Sequence, residues 1–273
     1  MAGPKVREVT VGALRVRSYG VVVELAWQGL PPASSSEVAL LLPPGAVPTT
    51  AAPEVRVVLY GGPPWRLEGP EGAVLFDSWD DLRHGAERAL AGHIALQSPD
   101  RIFFHAGVVG TEAGAIVLPG RSFAGKSTLV VALCRLGCRY LSDEYAVVSP
   151  EGLLIPYPRR LSLRVGERRL TVAADELGAA TETDPLPPAA VVVSVFQPGV
   201  ATDLRPVPAR EGVMALIDNA IAARTRPRDV LRAAGALVRD SLVLQGVRDD
   251  ADEAAAFIVA SFSNRGSTPR GPS

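Results

Sequence analysis

Cysteine, lysine and histidine are close to absent: two Cys, two Lys and three His in 273 residues. Two cysteines cannot build a disulfide framework, and with so few histidines they leave no recognisable zinc-ligand pattern. Cys134 and Cys138, four apart in a segment that reads as helix, are expected to be small buried apolar residues. A basic excess is missing too. The formal net charge is −1, which gives no field for holding nucleic acid. No apolar run is long enough to span a bilayer, and the N-terminal "MAGPKVREVT" lacks the apolar core of a secretory signal. The expectation is a cytoplasmic protein without a membrane or nucleic-acid partner. No internal repeat is visible. What is present, 47% hydrophobic and 21% charged residues, suffices for one large domain or two ordinary ones.

The scarcity of lysine is itself informative. Of 28 basic residues, 26 are Arg. One lysine, Lys5, falls in the N-terminal tail, and the other, Lys126, in a glycine-rich loop. A slim ammonium fits among phosphate oxygens and backbone N–H groups where a planar guanidinium would not.

That loop lies in "LPGRSFAGKSTLVVALCRLGCRYLSDE", residues 118 to 144. Gly120, Gly125, Lys126 and Ser127 have the spacing G-x4-G-K-S of a phosphate-binding loop, or Walker A motif. At this chain's composition, chance supplies on the order of 0.002 such matches. The flanks agree: an apolar strand enters, and a helix starts at Lys126-Ser127. In that arrangement the N–H groups of Gly120, Arg121, Ser122, Phe123, Ala124, Gly125, Lys126, Ser127 and Thr128 and the helix's positive end converge on a nucleotide phosphate. Lys126 spans the β- and γ-phosphates of ATP, and Ser127 ligates Mg²⁺.

Around the loop, residues 4 to about 76 alternate β-type runs ("VREVTVGALRVRSYGVVVELAW", "EVALLLP", "EVRVVLYG", "WRLEG") with turns. They predict a small antiparallel sheet or half-barrel. "DSWDDLRHGAERALAGHIALQ" predicts a helix with Ser78 as N-cap and Asp81 at its third position. That cap, rather than a metal, accounts for Asp77, Asp80 and Asp81. "RIFFHAGVVG" and "GAIVLPG", joined by "TEAG", predict a β-hairpin running into the loop. The loop helix stops at Gly137. "RYLSDEYAVVS" predicts one strand, "GLLIPYPRRLSLR" a strand or loop, and "AAVVVSVFQPG" a strand buried on both faces. From about residue 208, "AREGVMALIDNAIAA", "PRDVLRAAGALVRDSLVLQ" and "DADEAAAFIVASF" predict three helical segments. The organisation expected is a β-rich region over 1–97 ending in a helix, an ATP-binding domain over 98–262 and a loose tail over 263–273.

Phosphoryl transfer to an alcohol needs a carboxylate for Mg²⁺ and a base for the alcohol proton. Asp143 and Glu144 are adjacent after the loop helix, and in a regular strand they point to opposite faces. They are either a surface acidic pair or a functional one. His105, between apolar flanks in the hairpin strand, is either structural or placed at the loop mouth.

The run "FFHAGVVG…GAIVLPGRSFAGKSTLVVALCRLGCRYLSDEYAVV" resembles the C-terminal catalytic domain of HPr kinase/phosphorylase. It is closer still to the HPr-kinase-related serine kinases, including those that phosphorylate ribosomal peptides in lasso-peptide clusters. The resemblance covers about residues 100 to 200, and the C-terminal helices loosely, but not the first 95. It implies an α/β fold: a P-loop kinase core of the type shared with phosphoenolpyruvate carboxykinase, with a mixed sheet and a hairpin entering the loop. To this are added the N-terminal β-rich region and C-terminal helices. It also implies that Asp143 is the catalytic base, Glu144 the second acid associated with Mg²⁺, and His105 the strand histidine. Arg159 in "PYPRRLSLR" becomes a phosphate or substrate contact, unless Arg159 and Arg160 are a solvated strand end. The pair is Asp-Glu where the bifunctional enzymes have Asp-Asp, and their "E-[IV]-R-G-x-G" signature is missing. The expected activity is therefore an ATP- and Mg²⁺-dependent kinase acting on a serine of a small protein or peptide, without phosphorylase activity. The β-rich region is a candidate holder of the acceptor, and a homo-oligomer is compatible with all of this. Two alternatives stay open: a nucleotide-binding regulator or scaffold without transfer, and a small-molecule kinase.

Overall fold

The computed structural model describes residues 10–120, 125–165 and 168–263. Loop residues Arg121, Ser122, Phe123 and Ala124, and the expected tail from residue 264, lie outside them. The chain divides after Asp100 into two units.

The first unit contains β1 (Thr10–Ser18), β2 (Val21–Leu30), α1 (Pro32–Glu37), β3 (Val47–Pro48), β4 (Val55–Tyr60), β5 (Trp65–Gly69), β6 (Gly72–Phe76) and α2 (Trp79–Gln97). Its six strands form one sheet in the order β3-β1-β2-β4-β5-β6. The β1–β2 hairpin turns on Tyr19 and Gly20, both with positive φ (46° and 89°), the geometry whose twist matches the flanking strands. The sheet is mixed rather than antiparallel, because β2 and β4 run parallel. A parallel pair needs a crossover, and residues 31–54 supply it with α1 and β3. This corrects "EVALLLP" as well: it is a 3-10 turn, Val38–Leu41, following α1. Pro32 sits in the first turn of that helix, where its missing N–H costs nothing. Val38 and Leu41, three apart, are buried while Leu40 is exposed, a helical and not an alternating pattern. Helix α2 buries Leu82, Ala86, Leu90 and Ile94, one per turn, and Ser78 Oγ caps it by accepting the Asp81 N–H at 3.1 Å.

The second unit contains β7 (Ile102–Thr111), β8 (Gly114–Pro119), α3 (Lys126–Arg135), β9 (Arg139–Ser142), β10 (Tyr145–Val148), β11 (Leu154–Ile155), β12 (Leu161–Val165), β13 (Arg168–Val172), β14 (Pro188–Phe196), β15 (Asp203–Pro206), α4 (Ala209–Asp218), α5 (Pro227–Val238), β16 (Leu242–Arg248) and α6 (Ala251–Ser263). An eight-stranded sheet runs β11-β10-β7-β8-β14-β16-β15, with β9 also on β7. Strands β8, β14 and β16 are mutually parallel; β12 and β13 form a separate hairpin.

Helices cover both faces, and the three parallel strands divide their side chains between them. Ile116, Leu118, Ala190, Val192, Leu242 and Leu244 pack with α3 and α6. Ala115, Val117, Val191 and Val243 pack with α4 and α5. Continuous apolar runs are what such a strand requires. The fold is thus α/β, with two mixed sheets and six helices among the described residues. None of those helices is long and apolar enough to cross a membrane.

Two further expectations need correction. "DSLVLQ" does not continue α5. The chain turns at Arg239–Ser241 and enters β16, in which Leu242, Val243 and Leu244 are all buried. Val238 and Leu242 are four apart, so helical spacing runs unbroken through the turn and hides it. Strand β14 is buried at residues 190–192 only; Val195 and Phe196 at its end are 61% and 50% exposed.

Candidate functional site

The hairpin β7–β8 carries the chain to the glycine-rich loop, and the start of that loop is fastened to β7. The Gly120 N–H donates to the His105 carbonyl at 3.1 Å. At the other end Gly125, with φ 72°, is the N-cap of α3, a left-handed conformation that glycine adopts without strain. Lys126 and Ser127 occupy the first turn, partly buried, and Thr128 is exposed.

Asp143 and Glu144 sit at a bend, not in a regular strand. Strand β9 pairs with β7 as far as Ser142 opposite Val108, and β10 resumes at Tyr145 opposite His105. The Ser142 hydroxyl holds the bend by accepting the N–H groups of Glu144 (3.1 Å) and Tyr145 (3.0 Å). The Glu144 carbonyl accepts the Ala106 N–H at 3.1 Å. The bend sends the two acids to different partners.

Asp143 meets the loop. Ser127 Oγ donates to Asp143 Oδ2 at 2.8 Å across 16 residues of sequence. The second oxygen, Oδ1, lies 3.1 Å from the Tyr140 hydroxyl, which is also 2.9 Å from the Arg159 carbonyl. Tyr140 is 1% exposed, and burial, reinforced by the Asp143 charge, drives its pKa well above 10.0. The phenol is therefore neutral and a proton donor at physiological pH. Glu144 forms an ion pair with Arg159 through Oε2. Arg160 goes elsewhere, to Glu176 at 2.8 Å, so the two arginines have separate roles.

Lys126 lies in the field of both acids. Burial lowers its pKa from 10.5, and the Asp143 and Glu144 charges oppose that shift. The His105 pKa is lowered from 6.5, first by burial and then by the Lys126 charge, against a hydrogen bond with the Glu144 backbone. Its ring stacks on Tyr145 with centroids 5.1 Å apart. His105, Lys126, Ser127, Asp143, Glu144 and Arg159 thus form one cluster at the mouth of the loop.

Hydroxyl and carboxylate oxygens are the donors Mg²⁺ prefers, and it commonly takes one or two carboxylates with phosphate and water completing its shell. Ser127 beside Asp143 fits that pattern. Among the described residues no three His, Cys, Asp or Glu side chains gather into a metal cage. Cys134 and Cys138 are free and buried, and burial pushes the Cys134 thiol up to about 12, which suits packing and not ligation.

Two participants were not foreseen from the sequence. Tyr140 stands three residues before Asp143 with no motif to mark it. Arg248 ends β16, and its Nη2 donates to the Gly125 carbonyl at 2.9 Å across 123 residues. Only knowledge that β16 lies in this sheet could have pointed to it.

No protein-family model matches the chain, and no curated protein matches it. Among solved structures, the Hpr(Ser) kinase/phosphatase from Coxiella burnetii is similar at 12% identity and a TM-score of 0.31. The match covers 60% of this chain and 95% of that one. At that level the likeness carries no argument about function.

Proposed function

We propose that the second unit is an ATP-dependent kinase that transfers the terminal phosphate to a hydroxyl, serine on a small protein or peptide being the favoured acceptor. The observation that carries this reading is the 2.8 Å contact between Ser127 Oγ and Asp143 Oδ2. A G-x4-G-K-S loop by itself means phosphate binding. A carboxylate against its serine adds the group that transfer to an alcohol requires.

In the reaction so read, Lys126 and the N–H groups at the start of α3 hold the polyphosphate. The acceptor oxygen forms its bond to the γ-phosphorus as the bond from that phosphorus to the bridging oxygen of ADP breaks. The alcohol proton passes to an Asp143 oxygen. Tyr140, through Oδ1, orients that carboxylate, and His105, neutral at physiological pH, backs the bend from β7. Ser127 and Glu144 are the candidate holders of Mg²⁺, which when bound would neutralise phosphate charge. Glu144 is ion-paired with Arg159, and Asp143 is the acid in contact with Ser127.

The test has two arms. Titration calorimetry of Mg·ATP into the wild type and Lys126→Ala should show binding that the variant loses. Incubation with γ-labelled ATP and a serine-containing peptide, followed by mass measurement, should show one added phosphate on the peptide. Binding without a phosphorylated product, on peptide or metabolite, would favour a nucleotide-binding regulator instead. A phosphorylated metabolite with no peptide product would favour the small-molecule kinase.

A further inference from the structure

Arg248 is 2% exposed, and arginine is rarely so deep unless its hydrogen bonds are fixed. Besides the 2.9 Å bond from Nη2 to the Gly125 carbonyl, its Nε donates to Ser194 Oγ at 3.3 Å. The same Gly125 carbonyl takes the Leu129 N–H of the first helical turn at 3.2 Å. One side chain therefore ties the point where loop becomes helix to the ends of β14 and β16. Gly125 is doubly constrained. Its φ is left-handed, and a Cβ there would lie 2.7 Å from Arg248 Nη2.

A phosphate-binding loop acts through backbone N–H groups that must already point at the ligand. Any disorder at its helical end has to be removed on binding, at a cost in affinity. A cation held at the positive end of α3, next to Lys126, adds to the field that favours a polyphosphate there.

We infer that Arg248 is a positioning residue for the phosphate loop: by clamping the Gly125 carbonyl it keeps the start of α3 ready to receive the polyphosphate, without itself touching the reacting atoms. This rests on the nucleotide reading above.

The test uses full-length wild type, Arg248→Met and Arg248→Lys, with two readouts. The first is hydrogen exchange of the ligand-free protein. In Arg248→Met the amides of residues 125–130 should exchange about tenfold faster, the equivalent of one lost charge-assisted hydrogen bond, while those of β10 keep the wild-type rate. The second is affinity for ATP and for inorganic tripolyphosphate. Both should weaken about tenfold, appearing in KM with kcat within about twofold, and Arg248→Lys should recover part of the loss. Unchanged local exchange, or a rise spread evenly over the chain, overturns the proposal, as does an unchanged affinity in a folded variant. Should Arg248→Met fail to fold, Arg248→Lys, which keeps the charge and loses the guanidinium's planar fork, carries the same comparison. A wild type that binds neither ligand overturns the nucleotide reading and this proposal with it. A wild type that binds alongside an unaffected variant overturns the proposal alone.

Discussion

Asp143 is held at both oxygens, by Ser127 on one side and Tyr140 on the other, and this double hold is what makes its position definite. Removing the phenol in Tyr140→Phe takes away the single proton that lies between Asp143 Oδ1 at 3.1 Å and the Arg159 carbonyl at 2.9 Å, at about 1–3 kcal/mol of stability. Urea denaturation checks that loss; an unchanged midpoint would show the bond to be idle. His105 gives a pH dependence. Burial and the Lys126 charge hold its pKa below 6.5, so protonation favours the unfolded chain. The stability that depends on neutral His105 is complete above about pH 6.5 and is lost as pH falls through the window beneath it. Melting curves at about pH 7.5 and 5.5 should show the wild type losing more stability on acidification than His105→Gln. Equal losses would contradict this placement. At the residue scale the sequence is legible where chemistry is local: the G-K-S end of the motif marks the start of α3 at Gly125, and "SDE" its own acids. Tyr140 and Arg248 carry no local mark, because their partners are fixed by the packing of strands far apart in the chain.

Elements show the same division. The hairpin of β7 and β8, the Ser78 cap and the stop of α3 at Gly137 (φ 92°) follow from neighbouring residues, and all can be read from sequence. Strand β16 cannot, since the Val238–Leu242 spacing suits a continuing helix and only pairing with β14 decides otherwise. Likewise "EVALLLP" has a strand-like composition, but the crossover between β2 and β4 makes it a 3-10 turn. Helix α3 lies directly on β7. A Cβ on Gly107 would come within 2.6 Å of Val130 Cγ2. Gly107→Val should push the helix off the sheet, lowering stability by about 1–3 kcal/mol. It should also weaken ATP binding, because Lys126 and Ser127 stand in the first turn of α3. Calorimetry and thermal melting read both effects, and a variant as stable as the wild type would refute so close an approach.

For the molecule as a whole, the clustered site residues all belong to the second unit, and each unit has apolar residues of its own to bury. Residues 101–273 expressed alone should therefore fold and bind ATP within about threefold of the full chain's affinity. Loss of binding would mean that the first unit contributes to the nucleotide site. Whether that unit holds the acceptor is read from the same pair of proteins, as a fall in peptide phosphorylation with ATP binding intact. The account as a whole stands on Asp143 working at the end of a bound polyphosphate. The most direct measurement compares Asp143→Asn with wild type for ATP binding by calorimetry and for phosphate transfer by mass. The account predicts transfer lower by roughly 10²–10⁴-fold with ATP still bound. Transfer at the wild-type rate in Asp143→Asn would contradict it.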